Sequence, residues 1–484
     1  MSDLPTNTSP PMMATEDMRL RSFAMGLNTL NDPTEVKAAE VSDCSNVDFY
    51  EGRVEKRAGT EQQGNTIGST TSILGLHSFR RSSGSNQFIT AYDTDAYYNV
   101  AGTWTSLKSG LTSGLDTAME TFTDNVYFTN GTDTCFKWDG STASDVSGMP
   151  KGTILAVYRN KLLTAGVTGE EYRFYFSNIG DGDTWTTASD YVDVRTGNEK
   201  EPIIALKVIN DRVLIFKERS IHMWDETQRI EISSGIGIES PRSVVNLGDE
   251  IIFWNKDNVF VTTGSRIVPI GDQIQKTIQS LNRDRLNQVA GGYYKDNVYF
   301  AVPESGETNN TQMFIYNIPL RNWRIYDGLK ASCFVEHDDK LYYGDDTTGK
   351  VWQMHQGLND DDGGDNTAIT AYFEKQFDLY KFERYKKVKK FFVNLLEQGE
   401  YNLYFKYEWD QSGFNTVYLS MYNEADTFTY TFPITFAGEN ILGKTIRPQD
   451  KGHILRIRMG NDHADETFIV YDFSIHYKTK HSIK

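Results

Sequence analysis

The sequence predicts an all-β protein, in which a β-propeller of about seven blades precedes an antiparallel β-sandwich, and three observations predict it. Polar turns, short alternating apolar stretches and a strand ending in Trp recur, as in DNVYFTNGTDTCFKWDG at 124–140 and DDKLYYGDDTTGKVWQM at 338–354. The tryptophans from Trp104 to Trp352 recur on average about every 41 residues, close to the length of a four-stranded blade. Aromatic residues make up 13% of the chain, and their rings pack well on pleated surfaces.

Repeats of this size cannot bury their apolar faces alone, so we expect like units to stack side by side over residues 70–357. Seven blades fit the spacing best, with six or eight as alternatives. One Trp per blade favours packing between blades, because a large ring buries much apolar area, over stacking on sugars at the surface. The predicted packing residues are Trp104, Trp138, Trp185, Trp224, Trp254, Trp323 and Trp352.

The N-terminal region predicts an arm and a hairpin. Residues 1–20 are rich in Pro, Ser and Thr, which is typical of a flexible arm. In the segment 21–69, SNVDFYEGRVEKRAGT at 45–60 has alternating apolar residues on both sides of a Glu-Gly turn, as in a hairpin. We expect this segment to close the propeller, which would remove open sheet edges, or to dock on a neighbour.

One helix is predicted, near 272–287. GDQIQKTIQSLNRDRLNQ at 271–288 places Ile274, Ile278 and Leu281 on one face, and Asp272 and Gln275 resemble a capping box with Asp at the cap. We expect the helix to be inserted between two blades, with its apolar stripe on the propeller. Contact with a neighbouring subunit is the alternative.

An acidic stretch, LNDDDGGDNT at 358–367, interrupts the repeats and predicts a linker. Its carboxylates are oxygen ligands of the kind that Ca²⁺ takes, but they lack the spacing of an EF-hand loop, so we favour a solvated linker over a cation site. The acidic side chains concerned are Asp360, Asp361, Asp362 and Asp365.

The region 368–484 predicts a separate, platform-like β-sandwich, because seven candidate strands follow one another between turns. It contains the basic run KFERYKKVKKFF at 381–392. This run is a candidate contact for an acidic partner subunit or for DNA, and the solvated side of a strand is the alternative. The candidate contact residues are Lys386, Lys387, Lys389 and Lys390.

The net charge of −17 argues against nucleic-acid binding by the outer surface as a whole, since phosphates need Lys and Arg. It suits a particle component or a conduit through which DNA slides, and solubility alone is the alternative reading. Cys44, Cys135 and Cys333 are far apart in sequence, odd in number and without a CxxC pair, so they do not indicate a set of disulfides. We expect free thiols in a reducing cytosol. The N-terminus does not read as a signal peptide, and no stretch of 18 apolar residues predicts membrane insertion.

The sequence contains no motif that indicates a catalytic site. The chain has no GxSxG elbow, no phosphate loop and no HExxH pair. SNIGDGDTW at 177–185 comes close to the Asp box of sialidase-type propellers, but Asn178 and Gly180 replace its Ser and Asp, and only one copy exists. We therefore predict no enzymatic activity, no cofactor and no metal site.

The segment GLNTLNDPTEVKAAEVSDCSNVDFYEGRVEKRAGTEQ at 26–62 resembles the opening of phage virion proteins of the tail-nozzle, or tail tubular protein B, type. YFSNIGDGDTW at 175–185 and ETFIVYDFSIHYK at 466–478 are further matches. The features that carry the resemblance are Gly26, Leu27 and Asn28, Pro33, the SNVDF strand at 45–49, Gly52 and the KRAG close at 56–59.

The resemblance implies a structural protein of the virion, folded in the host cytoplasm and assembled as a six-fold homo-oligomeric ring below the portal and adaptor. Its expected partners are adaptor and portal-side proteins, tail fibre or plug proteins, and genomic DNA in passage through a central channel. The net charge of −17 adds the expectation that most charged residues lining this channel are Asp and Glu. The family has no catalytic residues to transfer. The alternatives are a receptor- or glycan-binding tail protein and a sialidase-like hydrolase.

Overall fold

The computed structural model describes residues 16–82, 84, 86–195, 200–361, 366–379, 385–422 and 440–479. The protein is all-β, as predicted, with 51% of residues in strands and 3% in helices. It divides into a terminal unit, whose described residues come from Met1–Arg57 and Thr370–Lys484, and a central unit, Ala58–Ile369. The strands of the N-terminal part of the terminal unit are β1 (Glu16–Leu20), β2 (Gly26–Leu27), β3 (Glu40–Val41), β4 (Asp43–Ser45), β5 (Val47–Tyr50) and β6 (Arg53–Lys56).

The central unit starts with β7 (Thr60–Gln62) and continues as a series of four-stranded antiparallel sheets. Sheet 1 contains β8 (Ile73–Phe79), β9 (Gln87–Tyr92), β10 (Asp95–Val100) and β11 (Thr103–Lys108). Sheet 2 contains β12 (Ala118–Phe122), β13 (Asn125–Thr129), β14 (Phe136–Trp138) and β15 (Ala143–Asp145). Sheet 3 contains β16 (Ile154–Tyr158), β17 (Lys161–Ala165), β18 (Arg173–Phe176) and β19 (Tyr191–Asp193).

The next three sheets repeat the pattern. Sheet 4 contains β20 (Ile203–Ile209), β21 (Arg212–Lys217), β22 (Ser220–Trp224) and β23 (Arg229–Ser234). Sheet 5 contains β24 (Val244–Asn246), β25 (Ile251–Trp254), β26 (Val259–Thr262) and β27 (Ile267–Pro269). Sheet 6 contains β28 (Ala290–Tyr294), β29 (Asn297–Val302), β30 (Gln312–Asn317) and β31 (Asn322–Asp327).

Sheet 7 is completed by a strand from the start of the unit. It is built from β32 (Ala331–His337), β33 (Lys340–Asp345) and β34 (Val351–Met354), and its fourth strand is β7. The short strands β35 (Asp360–Asp361) and β36 (Asn366–Thr367) follow β7 in the same sheet.

The seven sheets are joined through their first strands. Each of β8, β12, β16, β20, β24 and β28 contacts the first strand of the following sheet, and β32 of sheet 7 contacts β8 of sheet 1. The contacts therefore form a closed cycle. Since β7 pairs antiparallel with β34, with Thr60 opposite Met354, residues from both ends of the unit form the sheet at which the cycle closes.

The recurring polar turns have a common geometry. Five sheets join their first and second strands through two residues that both have positive φ, between 42° and 65°. This is the pattern of a type I′ turn, which matches the twist of the flanking strands and favours Asn and Asp. The turn pairs are Thr123–Asp124, Arg159–Asn160, Asn210–Asp211, Lys295–Asp296 and Asp338–Asp339.

The segment 21–69 has two parts that pair with different sheets. β5 and β6 do form a hairpin, but β6 pairs with a strand of the terminal unit, and the strand that completes sheet 7 begins only at Thr60. Val47, Phe49 and Val54 are buried in the terminal unit. Their apolar side chains therefore assign the hairpin to that unit.

The acidic stretch is also more ordered than predicted. Asp360 and Asp361 form β35, which pairs in parallel with β7, and the Asp360 carboxylate accepts a hydrogen bond from Thr60 Oγ1 at 3.1 Å. At these two positions the chain is part of a sheet and not a linker. Asp362 and Asp365 lie outside the described residues.

The predicted helix is divided into three short turns. A 3₁₀ turn (Asp272–Ile274), α1 (Gln275–Ser280) and a second 3₁₀ turn (Arg283–Gln288) follow one another between sheets 5 and 6. Leu281 adopts an extended conformation, which ends α1. The predicted cap was wrong, because the Asp272 carboxylate accepts a hydrogen bond from Asn258 Nδ2 at 2.7 Å and caps no N–H group. The predicted apolar face, Ile274, Ile278 and Leu281, is buried.

The C-terminal strands of the terminal unit are β37 (Ala371–Phe377), β38 (Lys386–Leu396), β39 (Asn402–Trp409), β40 (Asn415–Ser420), β41 (Ile441–Ile446), β42 (Lys451–Gly452), β43 (Leu455–Asn461) and β44 (Ile469–Thr479). One sheet has the order β41-β38-β44-β6-β5, with β1 on β44 and β42 on β38, and the other has the order β4-β37-β43-β39-β40. One of the seven candidate strands, TFTYTFPITF at 427–436, lies outside the described residues.

Aromatic rings connect the two large sheets of the terminal unit. Phe391 of the first sheet lies 5.0 Å from Phe405 of the second, and Phe473 of the first lies 5.9 Å from Phe377 of the second. Phe23 lies 5.2 Å from Phe373 and 6.1 Å from Phe473, so the segment 21–57 shares this apolar core with the C-terminal strands.

Candidate functional site

The seven predicted tryptophans belong to seven different sheets or their loops, but not at equivalent positions. Trp104 and Trp323 lie on fourth strands, Trp254 lies on a second strand, and Trp185 lies in the loop between β18 and β19. The three on third strands are Trp138, Trp224 and Trp352. Six of the seven indoles are buried, and Trp185 is half-buried.

These indoles lie between neighbouring sheets. Trp138 contacts Tyr98 of sheet 1 at 5.2 Å, and Trp254 contacts Phe300 of sheet 6 at 5.5 Å. The apolar cluster between sheets 4 and 5 contains no Trp, and there Phe216 and Phe253 lie 5.3 Å apart. Indoles therefore fill most of the boundaries between sheets, while phenylalanines fill this one.

A cavity of about 250 Å³ lies where the first strands of all seven sheets converge. Of the described residues that line it, four carry charge: Asp116, Glu120, Lys207 and Arg242. The cavity is smaller than the roughly 300–1,000 Å³ of a typical ligand pocket, and it is far too narrow for duplex DNA. The predicted acidic DNA channel would therefore have to lie between copies of the chain, and its charge stays a prediction.

Arg242 links three segments around this cavity. Its guanidinium pairs with Asp116 at 3.1 Å, donates to the Ser332 carbonyl of sheet 7 at 3.1 Å and also donates to the Leu74 carbonyl of sheet 1. Such charge-assisted hydrogen bonds are stronger than neutral ones. The sequence gives no sign of this role, because Arg242 precedes β24 as one basic residue among many.

Glu120 and Lys207 both line the cavity, on β12 of sheet 2 and β20 of sheet 4. Burial raises the pKa of Glu120 to about 7, against a smaller opposing effect of Lys207. Burial also lowers the pKa of Lys207, and the charge of Glu120 opposes that shift. Alternation along β12 and β20 could not reveal this pair, since it does not identify the strand of each sheet that faces the cavity.

Glu120→Gln is expected to change how stability depends on pH. The pKa of Glu120 is higher in the folded protein, about 7, than in the unfolded chain, about 4.5. The contribution of Glu120 to stability is therefore complete below pH 4.5 and is lost as the pH rises through about 7, because the buried side chain must then carry a charge. Relative to wild type, the variant should therefore gain about 1–3 kcal/mol in unfolding free energy between pH 4.5 and 8. Urea unfolding at a series of pH values measures this, with the exposed Glu218→Gln as the control. Parallel pH profiles for wild type and Glu120→Gln would contradict the prediction.

The segment resembling an Asp box forms a self-contained turn. Asp181 accepts hydrogen bonds from the Asp183 N–H at 2.9 Å and from Thr184 Oγ1 at 2.7 Å, and Trp185 Nε1 donates to the Gly182 carbonyl at 2.8 Å. These bonds hold the loop while Trp185 packs on the apolar cluster between sheets 2 and 3. Each group has a structural use, so the turn suggests no catalytic role.

The structure separates the four candidate contact lysines on β38. Lys386 is buried and donates to the His453 carbonyl at 3.0 Å, so within this chain it is not available as a subunit contact. Lys389 is exposed, and Lys387 and Lys390 are half-buried. Alternation along the strand explains the division, because buried Val388 lies between Lys387 and Lys389.

Within the described part of the chain, no three His, Cys, Asp or Glu side chains lie close enough together to hold a metal ion. The three cysteines, Cys44, Cys135 and Cys333, are buried thiols that form no disulfide. No described helix combines the length and the apolar character that crossing a membrane requires.

No family model matches the chain, and no curated protein matches it. Among solved structures, it is similar to the computationally designed Ika8 protein at 15% identity and a TM-score of 0.40, over 61% of this chain and 100% of Ika8. It is also similar to PorZ, a surface component of the type-IX secretion system of Porphyromonas gingivalis, at 11% identity and a TM-score of 0.40. That match covers 68% of this chain and 44% of PorZ, so the chain spans less than half of PorZ. Similarity at this level carries no argument about function.

Proposed function

We propose that this chain is a structural protein of a bacteriophage tail, which forms a ring-shaped nozzle or hub below the portal and adaptor and surrounds the DNA exit channel. In this proposal the seven sheets of the central unit are the blades of a β-propeller. The two large sheets of the terminal unit form the sandwich that docks on the adaptor or on neighbouring subunits.

One observation carries the proposal. The segment 26–62, which resembles the opening of tail-nozzle proteins, runs through the hairpin of the terminal unit and ends with β7, the strand that completes sheet 7. The residues with the family pattern are thus those that join the terminal sheets and close the cycle of central sheets. This is an architectural role, and it agrees with an assembly protein.

The alternatives have less support. A receptor- or glycan-binding protein would use exposed indoles for stacking, whereas six of the seven tryptophans of the central unit are buried. A sialidase-like hydrolase needs two convergent carboxylates. In the cavity at the centre of the sheets, Asp116 pairs with Arg242, and Glu120 shares the lining with Lys207.

The mass of the assembled protein tests the proposal. The chain has a mass of 55.1 kDa, and mass photometry of the purified full-length protein should show a closed oligomer of six copies. Images of the same sample should show a central hole wide enough for duplex DNA. Monomers at all concentrations, or turnover of a polysaccharide by the purified protein, would contradict it.

A further inference from the structure

A cluster of lysines occupies one surface of the seven-stranded sheet in the terminal unit. Lys387 on β38 lies directly opposite Lys451 on β42 and Lys478 on β44. Together with Lys389 and Lys390, these residues form what we call the basic face. Three adjacent strands therefore carry lysines at directly paired positions.

The basic face is the outer side of this sheet. Val388 and Phe391 of β38 are buried, whereas Lys387 before Val388 and Lys390 before Phe391 are half-buried, and Lys389, at a bulge, is exposed. His476, opposite Lys390, pairs with Asp17. That pair brings one carboxylate to the edge of the face and leaves the lysine row itself positive.

Lysines at directly opposite positions of neighbouring strands repel each other. Among the described residues, no carboxylate lies within ion-pair distance of the five lysines, and Lys451 instead lies 5.5 Å from the centre of the Tyr385 ring. The arrangement costs stability within the chain. A positive surface of this kind attracts a partner surface of negative charge.

The opposite charge is present on the same protein. Asp and Glu outnumber Lys and Arg by 41 to 27 in Ala58–Ile369, and by only 25 to 22 in the rest of the chain. Exposed acids occur at the turns between the first and second strands of several central sheets. They include Asp249, Glu250, Asp296 and Asp339, whereas Asp211 at another of these turns is already paired with Arg159.

We propose that the basic face binds the acidic central unit of a second copy of this chain. The two surfaces differ, so the contact is head-to-tail, and repeated head-to-tail contacts generate a ring when the rotation closes. The inference rests on the proposed function, for which it supplies the surface that joins one copy to the next.

Sedimentation of the purified full-length chain tests this inference. The wild-type protein should associate at about 0.1 M salt and dissociate towards about 1 M, because the Debye length falls from about 10 Å to about 3 Å. Lys387→Glu should weaken association about tenfold or more, since it brings a negative charge against an acidic partner. Lys276→Glu, an equal change of charge at an exposed site in the central unit, should not weaken it.

Thermal unfolding controls for misfolding. Lys387→Glu places a carboxylate between Lys451 and Lys478, so its unfolding midpoint should equal or exceed that of wild type. Lys451→Glu, at an exposed position of the two-residue strand β42, is the second variant and should weaken association in the same direction. Weaker association without loss of stability is a combination that a purely structural role of Lys387 would not produce.

Three results would overturn the inference. Wild-type rings that persist unchanged in Lys387→Glu and Lys451→Glu would show that another surface joins the copies, while the nozzle proposal would stand. A wild-type chain that stays monomeric at every salt concentration would reject both. A monomer that binds duplex DNA, and loses this binding in Lys387→Glu, would identify nucleic acid as the occupant of the basic face.

Discussion

Gly59→Ala is expected to destabilise the central unit by about 3 kcal/mol or more, because the added methyl group has no space. A Cβ atom at Gly59 would lie 1.7 Å from the carbonyl oxygen of Asn359 and 2.8 Å from its nitrogen. The main chain cannot easily move away. The Gly59 N–H donates to the Gly357 carbonyl at 3.1 Å, and the Thr60 N–H donates to the Asn359 carbonyl at 3.2 Å.

Gly59→Ala should also disturb the sheet at which the cycle of seven sheets closes. Gly59 immediately precedes β7, and displacing β7 would leave the edge of β34 unpaired, which favours aggregation. Denaturant unfolding together with light scattering measures both effects. Gly148→Ala is the matched control, since its Cβ would meet only the Asp183 carbonyl oxygen at 3.4 Å. Equal stability of the two variants would contradict the proposed importance of β7.

Trp254→Ala is expected to cost about 3–5 kcal/mol, the usual range for deleting a large buried aromatic side chain. The indole is fully buried on the second strand of sheet 5. It lies 5.5 Å from the ring of Phe300 and 5.6 Å from that of Phe314, both in sheet 6. Truncation therefore leaves a cavity at a boundary between two sheets.

Two further variants separate packing from other effects. Trp254 Nε1 has no hydrogen-bond partner among the described residues, so Trp254→Phe removes volume but no polar contact and should cost less than Trp254→Ala. Trp185→Ala removes a half-buried indole from a loop and should cost less again. Urea unfolding of the three variants measures the loss in unfolding free energy for each and so tests this order. A cost for Trp254→Ala as small as that for Trp185→Ala would refute the packing role.

The repeating pattern of the central unit could be predicted because it is local. Type I′ turns such as Thr123–Asp124 and Asp338–Asp339 recur with the same strand alternation, and they mark the sheets one by one. The strand that carries each indole could not be predicted. Trp104 on a fourth strand and Trp254 on a second strand both fill spaces between sheets, and the spacing of the tryptophans does not distinguish these positions.

Pairings between distant segments were the least predictable part. Nothing in the 45–60 segment indicates that the hairpin joins the terminal unit while Thr60, four residues after its last strand ends at Lys56, joins sheet 7. The charged side chains of the cavity were missed for the same reason. Sheet 3 separates Glu120 from Lys207 along the chain, and both line the same cavity only because the first strands converge.

The basic run at 381–392 shows what a local sequence pattern can predict about a strand and what it cannot. The alternation around Val388 indicates a strand with one solvated side, but it does not show that Lys451 and Lys478 lie beside Lys387. That information comes from pairing among three strands. The sequence offered four candidate lysines, and the basic face contains three of them together with Lys451 and Lys478. Lys386 is not part of it because its side chain is buried.

An experimental reconstruction of the assembled full-length chain by electron cryomicroscopy tests most directly whether the protein is an architectural ring. We expect six copies around an open axis, each with a closed cycle of seven sheets, the seventh completed by the strand at Thr60–Gln62. An open arc of sheets within each copy, or single copies with no common axis, would contradict this.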